Sequence, residues 1–349
     1  MRNAIGISVY LSHFEQQKEW LETVLCPGRK VFTSLQIPEE QLQPEKILSM
    51  LKWLKERGAY IITDINPRVL KELAVQSIQE LVITYPIDNI RLDDGFSTQE
   101  VAQFLEMIDV TINASTQGAQ LDEWDKITQQ APYQLFAQFN YYPRVETGLD
   151  SQDVQSIVEK FASIGIRTMA FVAGDEWLRG PLYSGLPTIE MTRNLSPVLA
   201  YLKLLRCGID DVFIGDVKLS NSQWKAIESI IQNETLRLPV VLEVQYDELY
   251  DKIYKIRIDS PSTLLRMSEA RCTMQGDVLM PRYCTERVKG SITLDNVNYK
   301  RYSGEIQLIG KSLPPDERVN VIGRIDDAYL PIFELDIRGW NVQFVKEND

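Results

Sequence analysis

The side chains best suited to chemistry in this sequence are carboxylates that follow short apolar runs. Asp64 ends AYIITD, Asp93 ends NIRLD, Asp216 follows DVFIG, and Glu190 stands two residues after Thr188. Two carboxyl groups flanking a glycosidic bond suffice to hydrolyse it: one protonates the leaving oxygen and the other attacks the sugar or activates water. Tyr10, Asn113, Asn140 and Tyr142 stand at comparable points and offer partners for sugar hydroxyls or an acetamido group. Arg144 and Arg179 add forked guanidinium donors of the kind that hold phosphate or carboxylate. Ser8, Ser34, Gln36, Asp175 and Glu176 complete the set of run-ending polar residues.

Each candidate has a plainer reading. Asp94 precedes Gly95 and reads as a turn acid. Glu190 near the start of a helix is favoured by the helix dipole whatever else it does. His13, the single histidine, reads as a helix-start residue. Asp64 and Asp93 are not needed as caps, because Asn66 before Pro67 and the box Ser97-Thr-Gln-Glu100 already open the helices that follow. One histidine excludes any zinc site that needs two and makes a Ser-His-Asp triad depend wholly on His13. The inner parts of the strands carry no lysine for a Schiff base, since Lys30 opens its strand at the far end and Lys218 lies in a loop. Oxygen coordination of Mg²⁺ by Asp64, Asp93 and Asp216 stays open.

These residues need a scaffold, and the pattern supplies one. Strands are expected over 4–10, 30–35, 59–64, 89–93, 108–113, 133–140, 167–172 and 211–215. Helices are expected over 13–25, 45–57, from Asn66-Pro67, after Ser97, over 124–130, 152–163 and 190–206, and from the box Ser220-Asn-Ser-Gln223 to 232, with a long loop over 173–188. Eight strands, each followed by a helix, in roughly 235 residues predict an α/β (β/α)8 TIM barrel. Its chemistry belongs at the C-terminal ends of the strands, where the candidates above fall. Near Leu238-Pro239 the pattern turns β-rich, with strands expected over 240–246, 251–258, 288–294, 304–309, 319–325 and 342–345 and helical periodicity over 262–271. The expected domains are a barrel over 1–236 and a small β-rich domain over 237–349.

A length of 349 residues fits a barrel plus a second module. Lys plus Arg is 37 against 49 Asp plus Glu, a net charge of −12, which argues against generic binding to a nucleic-acid backbone. Cys26, Cys207, Cys272 and Cys284 form no CxxC pair and read as free thiols. No segment has the order of a signal peptide, and none approaches the ~20 apolar residues of a membrane span, so a cytoplasmic protein without a membrane partner is expected.

The stretches GISVYLS, VFTSLQIPEE, ITDINPRVL, IRLDDGFS, FNYYPRVETGLD and RGPLYSGLPTIE, followed by VKGSITLDNVNYKRYSGEIQL and LPPDERVNVIGRI, resemble the bacterial 6-phospho-N-acetylmuramidases of the MupG type nearly end to end. The resemblance implies a barrel with a cyclophilin-like C-terminal β domain. It also implies hydrolysis of the β-1,4 bond of MurNAc 6-phosphate–GlcNAc, a small phosphorylated amino-sugar disaccharide, in cell-wall recycling and without a cofactor. The family motifs fall on Asp64, Asp93, Asn140, Tyr142, Arg144, Arg179 and Glu190. Two positions depart: Phe139 stands where the family has histidine, and Asp94 where it has an aromatic residue. Asp64 and Asp93 are then the leading catalytic pair, with Glu190 and Asp216 as substitutes. Arg144 and Arg179 are assigned to the 6-phosphate or the lactyl carboxylate, and Arg271, Arg282 and Arg287 are candidates to close over the same mouth. A silent sugar-phosphate-binding protein and a Mg²⁺-dependent barrel are the competing readings.

Overall fold

Eight short runs with buried apolar residues fold as the parallel strands β1 (Gly6–Ser8), β2 (Lys30–Ser34), β3 (Tyr60–Ile65), β4 (Asn89–Leu92), β5 (Asp109–Asn113), β6 (Leu135–Gln138), β7 (Arg167–Val172) and β8 (Asp211–Ile214). In the computed structural model, which describes residues 5–37, 43–93, 95–118, 120–268 and 279–346, they close into a barrel in sequence order. The connections carry α1 (Phe14–Val24), α2 (Pro44–Glu56), α3 (Pro67–Glu72), α4 (Ile78–Thr84), α5 (Thr98–Phe104), α6 (Ala114–Gln117), α7 (Leu121–Gln130), α8 (Ser151–Ser163) and α9 (Pro197–Arg206).

The local chemistry of the caps explains where these helices start. The Asn66 side chain accepts the N–H groups of Arg68 and Val69, and Ser97 with Glu100 forms the reciprocal capping box. Along α8, Val154, Val158 and Phe161 recur at helical spacing and are buried. Inside the barrel, Phe32, Ile62, Phe136, Met169, Phe171 and Phe213 form one cluster, each side chain worth about 1.5–3 kcal/mol of burial. The N-terminal end is closed by polar pairs: Lys30 and Arg167 both bind Asp211, at 2.5 and 3.0 Å, and the Tyr60 hydroxyl donates to Asp109. Two residues beyond Phe32 and Ile62 on the same faces come Ser34 and Asp64, in register with each other and with Arg91. The period of two in a strand thus turns an apolar layer into a polar one at the C-terminal end.

The chain divides into two compact units, Met1–Ser220 and Asn221–Asp349. The second begins with α10 (Asn221–Asn233) and continues with β9 (Thr235–Leu242), β10 (Ile253–Ile256), β11 (Leu264–Ser268), β12 (Ser291–Asp295), β13 (Ile306–Ile309), β14 (Val319–Ile325) and β15 (Asn341–Val345). These seven strands close in the order β10-β11-β13-β12-β14-β9-β15, with β9 and β15 parallel and the other pairs antiparallel.

Three expected elements are corrected. The helix over 190–206 is a single 3-10 turn, Glu190–Thr192, followed by α9 from Pro197, because proline suits the first turn of a helix and not its interior. The helical stretch over 262–271 contains strand β11, paired with β10 and β13; its end lies outside the described residues. The strand over 240–246 starts earlier, at Thr235, and gives way to 3-10 turns from Val244. Pro239 sits within β9 without costing a ladder bond: it is the last partner of β15, and pairing to β14 starts at Val240.

Gly323 lies where β14 shifts register against β12, and a Cβ there would stand 2.4 Å from the Val241 carbonyl oxygen. Backbone cannot yield as a side-chain tip does, so Gly323→Ala is expected to cost about 1–3 kcal/mol. Urea denaturation would measure it, and an unchanged midpoint would refute the packing argument.

Candidate active site

The barrel mouth is organised around one buried cation. Arg91 is 3% exposed; its Nη1 donates to Asp64 Oδ1 at 2.8 Å, and its Nη2 donates to Asp93 Oδ1 at 3.3 Å and to the Asn140 side-chain oxygen. Burial alone would weaken the cation, but the carboxylates of Asp64 and Asp93 outweigh it and hold the guanidinium charged. Asp64 also accepts from Gln36 Nε2 at 2.7 Å and from the Ser34 hydroxyl at 3.0 Å. Gln36 in turn accepts from Asn66 Nδ2, so the cap of α3 is tied to the carboxyl it precedes. Burial pushes the Asp64 carboxyl above its ordinary range, against the pull of Arg91. Asp93 is more open, with a side chain 38% exposed. Its Oδ1 accepts from Asn113 Nδ2 at 2.7 Å as well as from Arg91, and its Oδ2 has no protein partner among the described residues.

The other side of the mouth is aromatic. Tyr10, Ile37, Leu186 and Val217 cluster there, with Tyr141 and Trp177 packed against them. The Tyr10 hydroxyl donates to the Gly215 carbonyl. Arg179 lies over the Tyr10 ring, 4.5 Å from its centre, and its Nη1 donates to the Tyr141 hydroxyl at 2.8 Å. Tyr141 stands edge-on to Phe32 and Phe171, which joins this wall to the barrel interior. Trp177 meets the His13 ring edge-on at 5.4 Å, and His13 Nδ1 lies 2.8 Å from the Ser12 hydroxyl.

Two of the predicted carboxylates brace loops instead of facing outward. Asp216, 1% exposed, accepts three backbone N–H groups: Gly174 and Leu186 on Oδ2, at 2.8 and 3.0 Å, and Arg179 on Oδ1, at 2.8 Å. Burial raises its carboxyl while these donors oppose the rise. Glu190 is chelated by Arg193, with Nε on Oε1 at 2.7 Å and Nη2 on Oε2 at 2.6 Å, and it takes the N–H groups of Glu146 and Gly148. Arg193 and those two N–H groups outweigh the cost of burial and pull Glu190 down to about 2. Arg193 also donates to the carbonyls of Tyr142, Arg144, Ser184 and Gly185, and so joins two loops of the mouth.

The remaining predicted residues divide clearly. Asn113 caps α6 through Ser115 N–H and orients Asp93. Asn140 joins the Arg91 network, whereas Tyr142 engages through its backbone. Arg144 is exposed and carries no side-chain partner among the described residues. Asp175 accepts from Ser220, and Glu176 pairs with Lys218. In the second unit Arg282 binds Gln245 and Arg287 binds the Pro314 carbonyl. Asp94 and Arg271 lie outside the described residues. Phe139 is fully buried and alternates with Gln138 and Asn140, so that departure from the family pattern falls on the outer face of the barrel wall. Reading run ends alone missed Arg91, Tyr141 and Arg193. The signal for Arg91 was its spacing, two residues before Asp93 on one strand face. Among the described residues no group of three His, Cys, Asp or Glu gathers as a metal set, and no helix is long and apolar enough to cross a membrane.

Comparison with known proteins gives a consistent result. Residues 5–229 match the family model described as 6-phospho-N-acetylmuramidase, N-terminal, and residues 236–344 match its C-terminal counterpart. A crystal structure of a conserved Enterococcus faecalis protein with an unknown function is similar at 29% identity and a TM-score of 0.85, over 99% of this chain and 97% of that one. An uncharacterised B. cereus protein is similar at 25% identity and a TM-score of 0.78, over 99% of this chain and 100% of that one. No match emerges among curated proteins.

The loop braces generate two measurable expectations. Asp216→Ala removes the acceptor of one buried and two part-buried backbone N–H groups, so a loss of about 3 kcal/mol is expected in denaturation, with Asp216→Asn losing less. Glu190 has a folded value near 2 against an ordinary 4.5, so its contribution is present above 4.5 and lost as pH falls towards 2. Glu190→Gln should therefore flatten the fall of unfolding free energy across that window. Parallel curves for the two proteins would refute the brace.

Proposed function

The chain belongs to the 6-phospho-N-acetylmuramidase family, a family of glycosidases, and from that premise we propose that it hydrolyses MurNAc 6-phosphate–GlcNAc to MurNAc 6-phosphate and GlcNAc at its barrel mouth. The observation that carries this reading is the Arg91 guanidinium bridging Asp64 and Asp93, which holds two carboxyl groups together with one oxygen of Asp93 open. Environments that differ this much divide the roles of a carboxyl pair. Asp64, whose burial favours the protonated form, is the acid that protonates the glycosidic oxygen as the C1–O4 bond breaks. Asp93 is the carboxylate that attacks the anomeric carbon or draws the proton from the attacking water. Asn140 and Asn113 fix the pair and present amide groups to the sugar. Arg144, exposed and without a side-chain partner among the described residues, receives the phosphate. The proposed setting is cytoplasmic recycling of cell-wall sugars. A divalent cation between these acids is disfavoured, because a guanidinium already holds the cationic position there.

The test is release of GlcNAc from the purified disaccharide. Wild type should release one GlcNAc per bond cleaved, and Asp93→Asn and Asp64→Asn should each lower kcat by about 10²–10⁴-fold. An acid must hold its proton, so the rate should fall as pH rises through the value of Asp64, and that limb should be absent in Asp64→Asn. No release by wild type, or full activity in both variants, would falsify the proposal.

A further inference from the structure

The two oxygens of Asp64 have different surroundings. Oδ1 accepts from Arg91 Nη1 at 2.8 Å and from Gln36 Nε2 at 2.7 Å. Neither nitrogen can become an acceptor. A guanidinium only donates. The Gln36 amide is held one way round, because its oxygen accepts from Asn66 Nδ2 at 2.8 Å. The Asn66 amide is held in turn, because its oxygen accepts the Arg68 and Val69 N–H groups at the start of α3. Backbone donors of a helix start thus fix, through two amides, an N–H aimed at Oδ1. Oδ2 has one partner among the described residues, the Ser34 hydroxyl at 3.0 Å. That hydroxyl is itself placed: its oxygen accepts the Gln36 backbone N–H at 3.3 Å, and Ser34 is buried on β2 in register with Asp64. A hydroxyl is the one kind of group around Asp64 that can accept from a carboxylic acid and also donate to a carboxylate.

We infer that Ser34 is a positioning residue for the Asp64 acid: the transferable proton is carried on Oδ2, since Oδ1 faces two fixed donors, and the Ser34 hydroxyl meets Oδ2 throughout, as acceptor from the acid and as donor to the carboxylate it leaves. This rests on the muramidase reading above, in which Asp64 is the acid. Before transfer the Oδ2 proton is held on the Ser34 oxygen. On transfer the Oδ2–H bond breaks and the proton passes to the glycosidic oxygen, which keeps the electron pair of the C1–O4 bond. The hydroxyl hydrogen of Ser34 then turns to the new charge on Oδ2, in the contact seen at 3.0 Å. A hydrogen bond to a charged oxygen is the stronger of the two, so Ser34 favours the carboxylate on balance and lowers the Asp64 value against the effect of burial. The ionisable groups that act on Asp64 are Arg91, Asp93 and Tyr141, and all are retained when only Ser34 is changed.

The experiment compares wild type, Ser34→Ala and Ser34→Thr on two substrates: the disaccharide MurNAc 6-phosphate–GlcNAc, whose leaving oxygen needs a proton, and the 4-nitrophenyl glycoside of MurNAc 6-phosphate, whose phenolate leaves without one. Ser34→Ala should lower kcat on the disaccharide by about tenfold and leave the aryl glycoside within about twofold, because only proton donation has lost its partner. It should also move the alkaline limb of the disaccharide profile to higher pH, since the charged form of Asp64 has lost a donor. Ser34→Thr keeps the hydroxyl and should keep the limb. In parallel, the Asp64 carboxyl is titrated by carbon-13 NMR of aspartate-labelled protein, its signal identified by loss in Asp64→Asn, and Ser34→Ala should raise its midpoint. The inference is overturned if both substrates slow equally, if the limb and the midpoint stay or move to lower pH, or if threonine displaces them as alanine does. Should Ser34→Ala fail to fold, Ser34→Cys, with a poorly donating thiol of similar shape, reads the same limb. If wild type cleaves neither substrate, the muramidase reading fails, while the titration still decides the role of Ser34.

Discussion

A buried guanidinium is the constraint on which the barrel mouth depends. Taking the Arg91 charge out of water is tolerable only because Asp64, Asp93 and Asn140 meet it, and removing one partner from such a buried pair costs several kcal/mol. Those partners come from three different strands and the segments after them. Their meeting requires the register Ser34–Asp64–Arg91 across β2, β3 and β4, and a one-residue slip would turn these side chains to the opposite face. The closed barrel, the caps at Asn66 and Asn113, and the carboxyl pair are therefore parts of one arrangement.

The four carboxylates at the mouth show how donor type sorts identical chemical groups. Asp216 meets backbone N–H groups and ties down the loop after β7. Glu190 meets a chelating arginine and two backbone N–H groups and joins that loop to the one after β6. Asp64 and Asp93 meet side chains and one shared cation. Backbone donors fix a carboxylate as a structural anchor. Side-chain donors hold Asp64 buried and leave one oxygen of Asp93 without a protein partner among the described residues.

This sorting marks the limit of what the sequence made legible. Strand count, barrel closure and the caps at Asn66 and Ser97 follow from local pattern and were readable, as was the placement of Asp64 and Asp93 at strand ends. Asp216 and Glu190 looked equivalent to them because their partners lie 37 to 44 residues away in sequence for several of the deciding bonds. Arg91 sat in plain view inside NIRLD, yet a charge in a barrel strand gains meaning only once alternation places it beneath Asp93 and register places it beside Asp64. Tyr141 is not legible beside Tyr142, because which of two adjacent tyrosines packs on the barrel interior depends on how the chain leaves β6. The segment Leu264–Ser268 was misread because five residues suit a helix or a strand equally until β10 and β13 flank it.

The net charge of −12 acquires a definite place in this arrangement. An anionic sugar gains nothing from the long-range field of such a protein, and at physiological salt that field decays over about 8 Å. Recognition must then be local, and locality makes the surroundings of each cation decisive. Arg91 is neutralised by its own acids and organises the carboxyl pair, Arg193 is neutralised by Glu190 and organises loops, Arg179 lies over the Tyr10 ring, and Arg144 stands exposed. A protein acidic overall can hold an anion at one place because its arginines are distributed by partner.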